Sequence, residues 1–118
     1  MTDREHVSAE MARTGFQRRA VARQPADAVL DSAVAFFAER GYRSGRTGRP
    51  NQVFVMGGRE GALPRVTAEI LVQPNVGKAK VTMVTISGFG EQLSGHLADF
   101  AASLRAKRAP AKPETSAG

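Results

Sequence analysis

The chain of 118 residues contains no cysteine and no tryptophan, and it has a single tyrosine. Without cysteine it can form no disulfide, thiolate metal site or redox couple, and it has no cysteine nucleophile. No apolar run approaches the roughly 20 residues that a membrane helix needs, and the polar first residues do not resemble a signal peptide. We therefore expect a cytoplasmic protein that does not insert into a membrane.

Length and composition predict one folded domain. Hydrophobic residues make up 42% of the chain and charged residues 24%, which is typical of a soluble globular protein. The first dozen residues lack apolar periodicity, and the last dozen mix lysine, proline and alanine. We expect disordered tails over residues 1–13 and 108–118 and a single α+β domain over residues 14–107.

Apolar periodicity predicts two helices and four or five strands. The first helix follows Pro25 and ends at Gly41, where a left-handed backbone would let Tyr42 fold back onto Phe37. The second helix opens at Ser87-Gly88 and runs to the basic residues near the end of the chain. Strand patterns cover residues 17–23, 42–45, 53–56, 65–73 and 80–86. The predicted order is β-α-β-β-β-α, or β-α-β-β-β-β-α when residues 42–45 form a separate strand.

These elements predict a two-layer α+β fold with a mostly antiparallel sheet of four to five strands and two helices on one face. The sequence leaves open which strand face the helices cover. Either choice leaves apolar side chains on the opposite face. In the strand over residues 53–56, for example, Val53 and Val55 point to one face, and the apolar Phe54 and Met56 point to the other. An apolar stripe across three strands indicates a cover, either a second subunit or a ligand. The candidate interface residues are Phe54, Met56 and Leu71.

Positive charge is concentrated in three segments of the chain. The net charge is +6, and basic residues gather in segments 11–24, 40–49 and 93–118. Within segment 40–49 an arginine stands at every third position, so the arginines cannot share one face of an extended chain. Such a loop favours nonspecific contact with phosphates over base recognition. The candidate polyanion-binding residues are Arg43, Arg46, Arg49, Arg105, Lys107 and Arg108.

No motif for catalysis, metal binding or cofactor binding stands out. His96 and Asp99 are three apart on the last helix, a spacing that favours a surface hydrogen bond. Asp27 and Asp31 suit the positive end of a helix macrodipole. The run over residues 87–91 opens a helix, as phosphate-binding loops do, but lacks the third glycine of a dinucleotide fingerprint. We predict no catalytic residue, no metal ligand and no cofactor.

The order of elements carries a resemblance. A strand, a helix that ends in Glu39-Arg40-Gly41-Tyr42, an antiparallel meander and a long last helix resemble the small TBP-like and helix-grip (Bet v 1-like) folds. They also resemble short bacterial proteins that share this helix ending. The resemblance covers roughly residues 16–106, is topological, and implies no functional residue. The chain lacks the internal repeat of TBP and is shorter than most helix-grip proteins.

Three functions are compatible with these patterns. The first is a non-enzymatic binding or assembly module that forms a homo-oligomer through the exposed sheet face. The second is nonspecific binding of nucleic acid or another polyanion through the basic loop 40–49 and the C-terminal basic residues. The third is carriage of a small hydrophobic ligand between sheet and helices, with a wall formed by Phe36, Phe37, Phe54 and Phe100.

Overall fold

A computed structural model describes residues 3–106 as three helices and one five-stranded antiparallel sheet. The sheet order is β1-β5-β4-β3-β2. This confirms the two-layer α+β prediction, with residues 42–45 replaced by a strand at Arg43–Arg46. No helix among the described residues is long and apolar enough to span a bilayer. The elements are α1 (Asp3–Thr14), β1 (Phe16–Ala22), α2 (Ala26–Glu39), β2 (Arg43–Arg46), β3 (Gln52–Gly57), β4 (Val66–Val76), β5 (Val81–Gly88) and α3 (Glu91–Ala106).

Residues 3–13, within the tail that the sequence predicts over residues 1–13, belong to helix α1. The helix has little apolar periodicity and buries little of its surface: Val7 is half-buried against the core, while Met11 is exposed. An ion pair of 2.7 Å joins Glu10 to Arg13, three residues apart on the helix. Thr14, the last residue of α1, is buried. The tail predicted over residues 108–118 lies outside the described residues.

The end of α2 confirms the predicted left-handed stop. Gly41 has a φ of +88°, and its amide donates to the carbonyl oxygen of Ala38. The amide of Tyr42 donates to the carbonyl oxygen of Phe37 at 3.0 Å, and the two rings pack edge to face at 6.4 Å. This pair of hydrogen bonds with its apolar contact is the Schellman ending. It aims the chain from α2 directly into β2.

The strand register settles which sheet face the helices cover. Val53 and Val55 of β3 are buried beneath the helices, and Phe54 between them is exposed on the other face. In β4, Ile70 is buried while Leu71 is exposed. We call the face under α2 and α3 the inner face, and the other the outer face. The inner-face core comprises Ala20, Ala22, Val53, Val55, Val66, Ala68, Ile70, Val72, Val84 and Ile86.

Aromatic rings fill the space between the helices and the sheet. The centroid of Phe36 lies 5.0 Å from that of Phe37 and 5.2 Å from that of Phe100, and Phe37 and Phe100 are 5.6 Å apart. Phe37 and Phe100 are fully buried. Phe54 lies on the outer face. The four phenylalanines that the sequence offers as one ligand wall therefore do not share a cavity.

Candidate interaction surface

The outer face carries a diagonal apolar stripe across four strands. Val21 of β1 lies directly opposite Met83 of β5 in the register. Leu71 of β4 is one diagonal step from Met83, and Phe54 of β3 is one diagonal step from Leu71. Diagonal neighbours on one sheet face are about 7–8 Å apart, within reach of large side chains. We call Val21, Met83, Leu71 and Phe54 the outer stripe.

Side chains of the outer stripe are exposed to an unusual degree for their size. The exposed fraction is 43% for Val21, 38% for Phe54 and 37% for Leu71. The sequence identified Phe54 and Leu71, together with Met56, which is half-buried further along β3. It missed Val21 and Met83 because their place on the stripe depends on the pairing of β1 with β5. That pairing joins residues that are distant in the sequence.

A hollow of about 660 Å³ opens on the outer face beside α1. Ala12 of α1 forms part of its rim, and Phe54 and Glu69 line it from the sheet. The Glu69 carboxylate accepts a hydrogen bond from the Gln52 side chain, whose oxygen accepts one from the Thr47 hydroxyl at 2.7 Å. Within residues 3–106 no cation pairs with Glu69. The hollow thus has an apolar wall and a fixed carboxylate.

The basic loop does not present its arginines together. Arg43 pairs with Met56 on the outer face, whereas Arg46 pairs with Val53 on the inner face. There Arg46 forms ion pairs with Asp27 at 3.3 Å and with Asp31 at 2.9 Å. The two aspartates, which the sequence explains by the helix macrodipole, also neutralise this arginine.

The other predicted polyanion-binding residues are spread over the molecule. Arg43 and Arg49 are exposed and make no ion pair within the described part of the chain. Arg105 lies in the last turn of α3. Lys107 and Arg108 lie outside the described residues. The structure therefore brings no two of these basic side chains into one described cluster.

The turn from β5 to α3 is tight and already filled. A Cβ added to Gly88 would lie 2.6 Å from the Cβ of Ala68. The amide of Gly90 donates to the Thr14 hydroxyl at 2.9 Å, and the amide of Gln92 donates to Glu60 Oε1 at 2.9 Å. These protein groups occupy two of the amides that a phosphate would need at this helix start. The glycines serve the close approach of strand and helix.

His96 faces Tyr42 and does not pair with Asp99. The His96 and Tyr42 rings pack edge to face at 5.5 Å, and His96 Nδ1 is buried with no hydrogen-bond partner. Burial raises the pKa of Tyr42, and the charge of Glu60 and a hydrogen bond to Glu60 raise it further. The described contact between His96 and Tyr42 is the packing of their two rings.

Side chains that bind metals are also dispersed. Across the described chain, no group of three or more histidine, aspartate or glutamate side chains is placed to hold a metal ion. The outer stripe holds three of the four large apolar side chains that are exposed in the described part of the chain. Comparisons with protein-family models, with curated proteins and with solved structures found no match for this chain.

Proposed function

We propose that this protein is a non-enzymatic binding and assembly module that pairs with a second copy of itself through the outer sheet face. The outer stripe is the observation that carries this proposal. Single exposed apolar residues are normal on protein surfaces, whereas a continuous apolar patch marks an interaction site. Three of its four members are more than one-third exposed, so covering the stripe would remove substantial apolar surface from water.

A second copy suits the stripe because a two-fold axis along it sets each apolar side chain against apolar side chains of the partner. The residues beside the stripe fit the same arrangement. Arg19 and Glu69 flank it on one side, and Gln52 and Gln73 flank it on the other. The two-fold operation places the charged side of one copy over the amide side of its partner. Like charges then do not meet.

The size of the face predicts weak association. Five strands at about 4.8 Å spacing and six residues at about 3.3 Å give a face of roughly 24 by 20 Å. Two copies would then bury roughly 1,000 Å², which is close to the lower limit for a specific interface. We therefore expect self-association at micromolar concentration, dependent on protein concentration.

Light scattering over a concentration series tests this proposal. Leu71→Glu and Phe54→Glu should give a monomer that remains folded, because each places a charge on the stripe without entering the core. The matched control is Ala35→Glu, which adds the same charge at an exposed position of α2 and should leave the mass unchanged. A wild-type mass of 12.6 kDa up to several hundred micromolar would contradict the proposal.

The two other functions receive less support from the geometry. Polyanion binding through the basic loop is weakened because Arg46 is neutralised by α2. A hydrophobic ligand would have to use the outer hollow, whose volume is in the range of small-molecule sites, since aromatic rings fill the space between the layers. The resemblance to TBP-like and helix-grip folds remains topological and adds no ligand to this choice.

A further inference from the structure

Basic residues gather at the end of the sheet where β1 terminates, opposite the end that contacts α1. Ala22 at the end of β1 pairs with Thr82 of β5, so Arg23 follows at the level of the β4–β5 hairpin. This hairpin carries Lys78 and Lys80. All three basic residues are exposed, and none is ion-paired within residues 3–106. We call Arg23, Lys78 and Lys80 the basic end.

A hollow of about 310 Å³ lies within the basic end. Arg23 and Lys80 both line it, and the remaining lining residues are small or aliphatic, with no carboxylate and no aromatic ring. The hollow has room for a phosphate group, and two of its lining residues, Arg23 and Lys80, are cations. The surrounding side chains offer no competing negative charge.

The backbone of Lys80 is unusual for a lysine. Its φ is +56°, in the left-handed region, where a side chain with a Cβ is disfavoured relative to glycine. The same hairpin uses Asn75 and Gly77 at its other left-handed positions, and these residue types tolerate that conformation well. A strained residue type at an exposed hairpin points to a role of its side chain outside the fold.

We propose that the basic end binds the phosphate backbone of duplex nucleic acid. Contact with phosphates needs cations within reach and no reading of bases, which is what Arg23, Lys78 and Lys80 offer. Single strands are held largely by stacking of bases on aromatic rings, and the hollow has none. The hollow shares Val21 with the outer stripe, but none of the three cations belongs to that stripe, so substitutions of the cations leave the apolar surface proposed for self-association unchanged.

Fluorescence anisotropy with a labelled duplex DNA, measured over a salt series, tests the proposal. The slope of log affinity against log salt should be about −0.9 for each phosphate neutralised on B-DNA. The triple variant Arg23→Gln, Lys78→Gln, Lys80→Gln should flatten this slope by about 2–3 units. The matched control, Arg43→Gln, Arg49→Gln, Arg59→Gln, removes the same charge from exposed arginines elsewhere and should flatten it less. Equal or greater loss in the control would overturn the proposal.

Lys80→Gly separates binding from folding. It relieves the left-handed strain, so it should raise the melting temperature while weakening duplex binding. Unchanged binding by this variant would count against the site. Two further probes complete the test: a single-stranded DNA of the same length, and vesicles that contain phosphatidylserine. The proposal fails if the wild-type protein prefers either of them to the duplex at equal ionic strength.

Discussion

The Arg46 guanidinium lies 2.9 Å from the Asp31 carboxylate and also reaches the side chain and carbonyl oxygen of Asp27. These contacts join β2, at the edge of the sheet, to the first half of α2. They explain why one arginine of the basic loop points away from its neighbours. One of the four arginines in segment 40–49 therefore stabilises the fold by joining β2 to α2.

Arg46→Gln should lower the free energy of unfolding by roughly 0.2–1 kcal/mol, since its partners are largely exposed to solvent. The loss should shrink in high salt, because salt screens surface charge pairs. Arg43→Gln is the matched control, as Arg43 stands on the same strand without an ion pair in the described chain. Urea unfolding at low and high salt measures both. Identical behaviour of the two variants would show that the ion pairs contribute nothing to stability.

Gly41→Ala should lower the free energy of unfolding by about 1–2 kcal/mol, because its φ of +88° is unfavourable for a residue with a Cβ. No atom lies within 4 Å of the added Cβ, so the loss reports the backbone conformation alone. Gly45→Ala is the control, since its Cβ also meets nothing within 4 Å and its φ is not positive. Thermal melting measures both variants, and an equal change in their melting temperatures would contradict the Schellman ending.

Tyr42, the single tyrosine of a chain without tryptophan, should ionise at a higher pH in the folded protein than in denaturant. Burial raises its pKa first, and Glu60 adds to this. The folded pKa lies above the unfolded value of about 10, so the contribution of neutral Tyr42 to the free energy of unfolding is complete below about pH 10. It is lost as the pH rises through the folded pKa. The absorbance of tyrosinate near 295 nm follows the titration directly.

Glu60→Gln should lower the folded pKa of Tyr42 only in part, because burial remains. A native midpoint at or below the midpoint in denaturant would contradict the packing of Tyr42 described above. Tyr42→Phe should remove the corresponding step from the curve of stability against pH.

Local signals predicted much of the fold. The glycine and the apolar pair at the end of α2 predicted its stop, because all three residues lie within six positions of the chain. Alternation in β3 and β4 predicted two faces, since strand side chains alternate in direction. The sequence could not choose between the faces, because both strands carry apolar residues on both sides. That choice depends on which side the helices cover.

Features that depend on contacts between residues far apart in the sequence were not predictable from local patterns. Val21 and Met83 meet only through the β1–β5 register, and Arg46 meets Asp31 only after β2 returns along α2. Helix α1 lacks the apolar stripe by which most helices are identified. Its position depends on residues far away in the sequence: Thr14 hydrogen-bonds Gly90 and Ser94, and Arg13 forms an ion pair with Glu91 at 3.3 Å.

Thr14→Val should lower the free energy of unfolding by about 1–3 kcal/mol and loosen the contact between α1 and the start of α3. The Thr14 hydroxyl donates to the carbonyl oxygen of Glu10 at 2.7 Å and accepts from the buried amide of Gly90 at 2.9 Å. Valine keeps the shape and leaves that amide without a partner, which incurs its full desolvation penalty. Thr85→Val is the control, since no described group hydrogen-bonds its hydroxyl. Hydrogen exchange should show faster exchange of α1 amides in Thr14→Val alone, and unchanged protection of α1 would refute this docking role of Thr14.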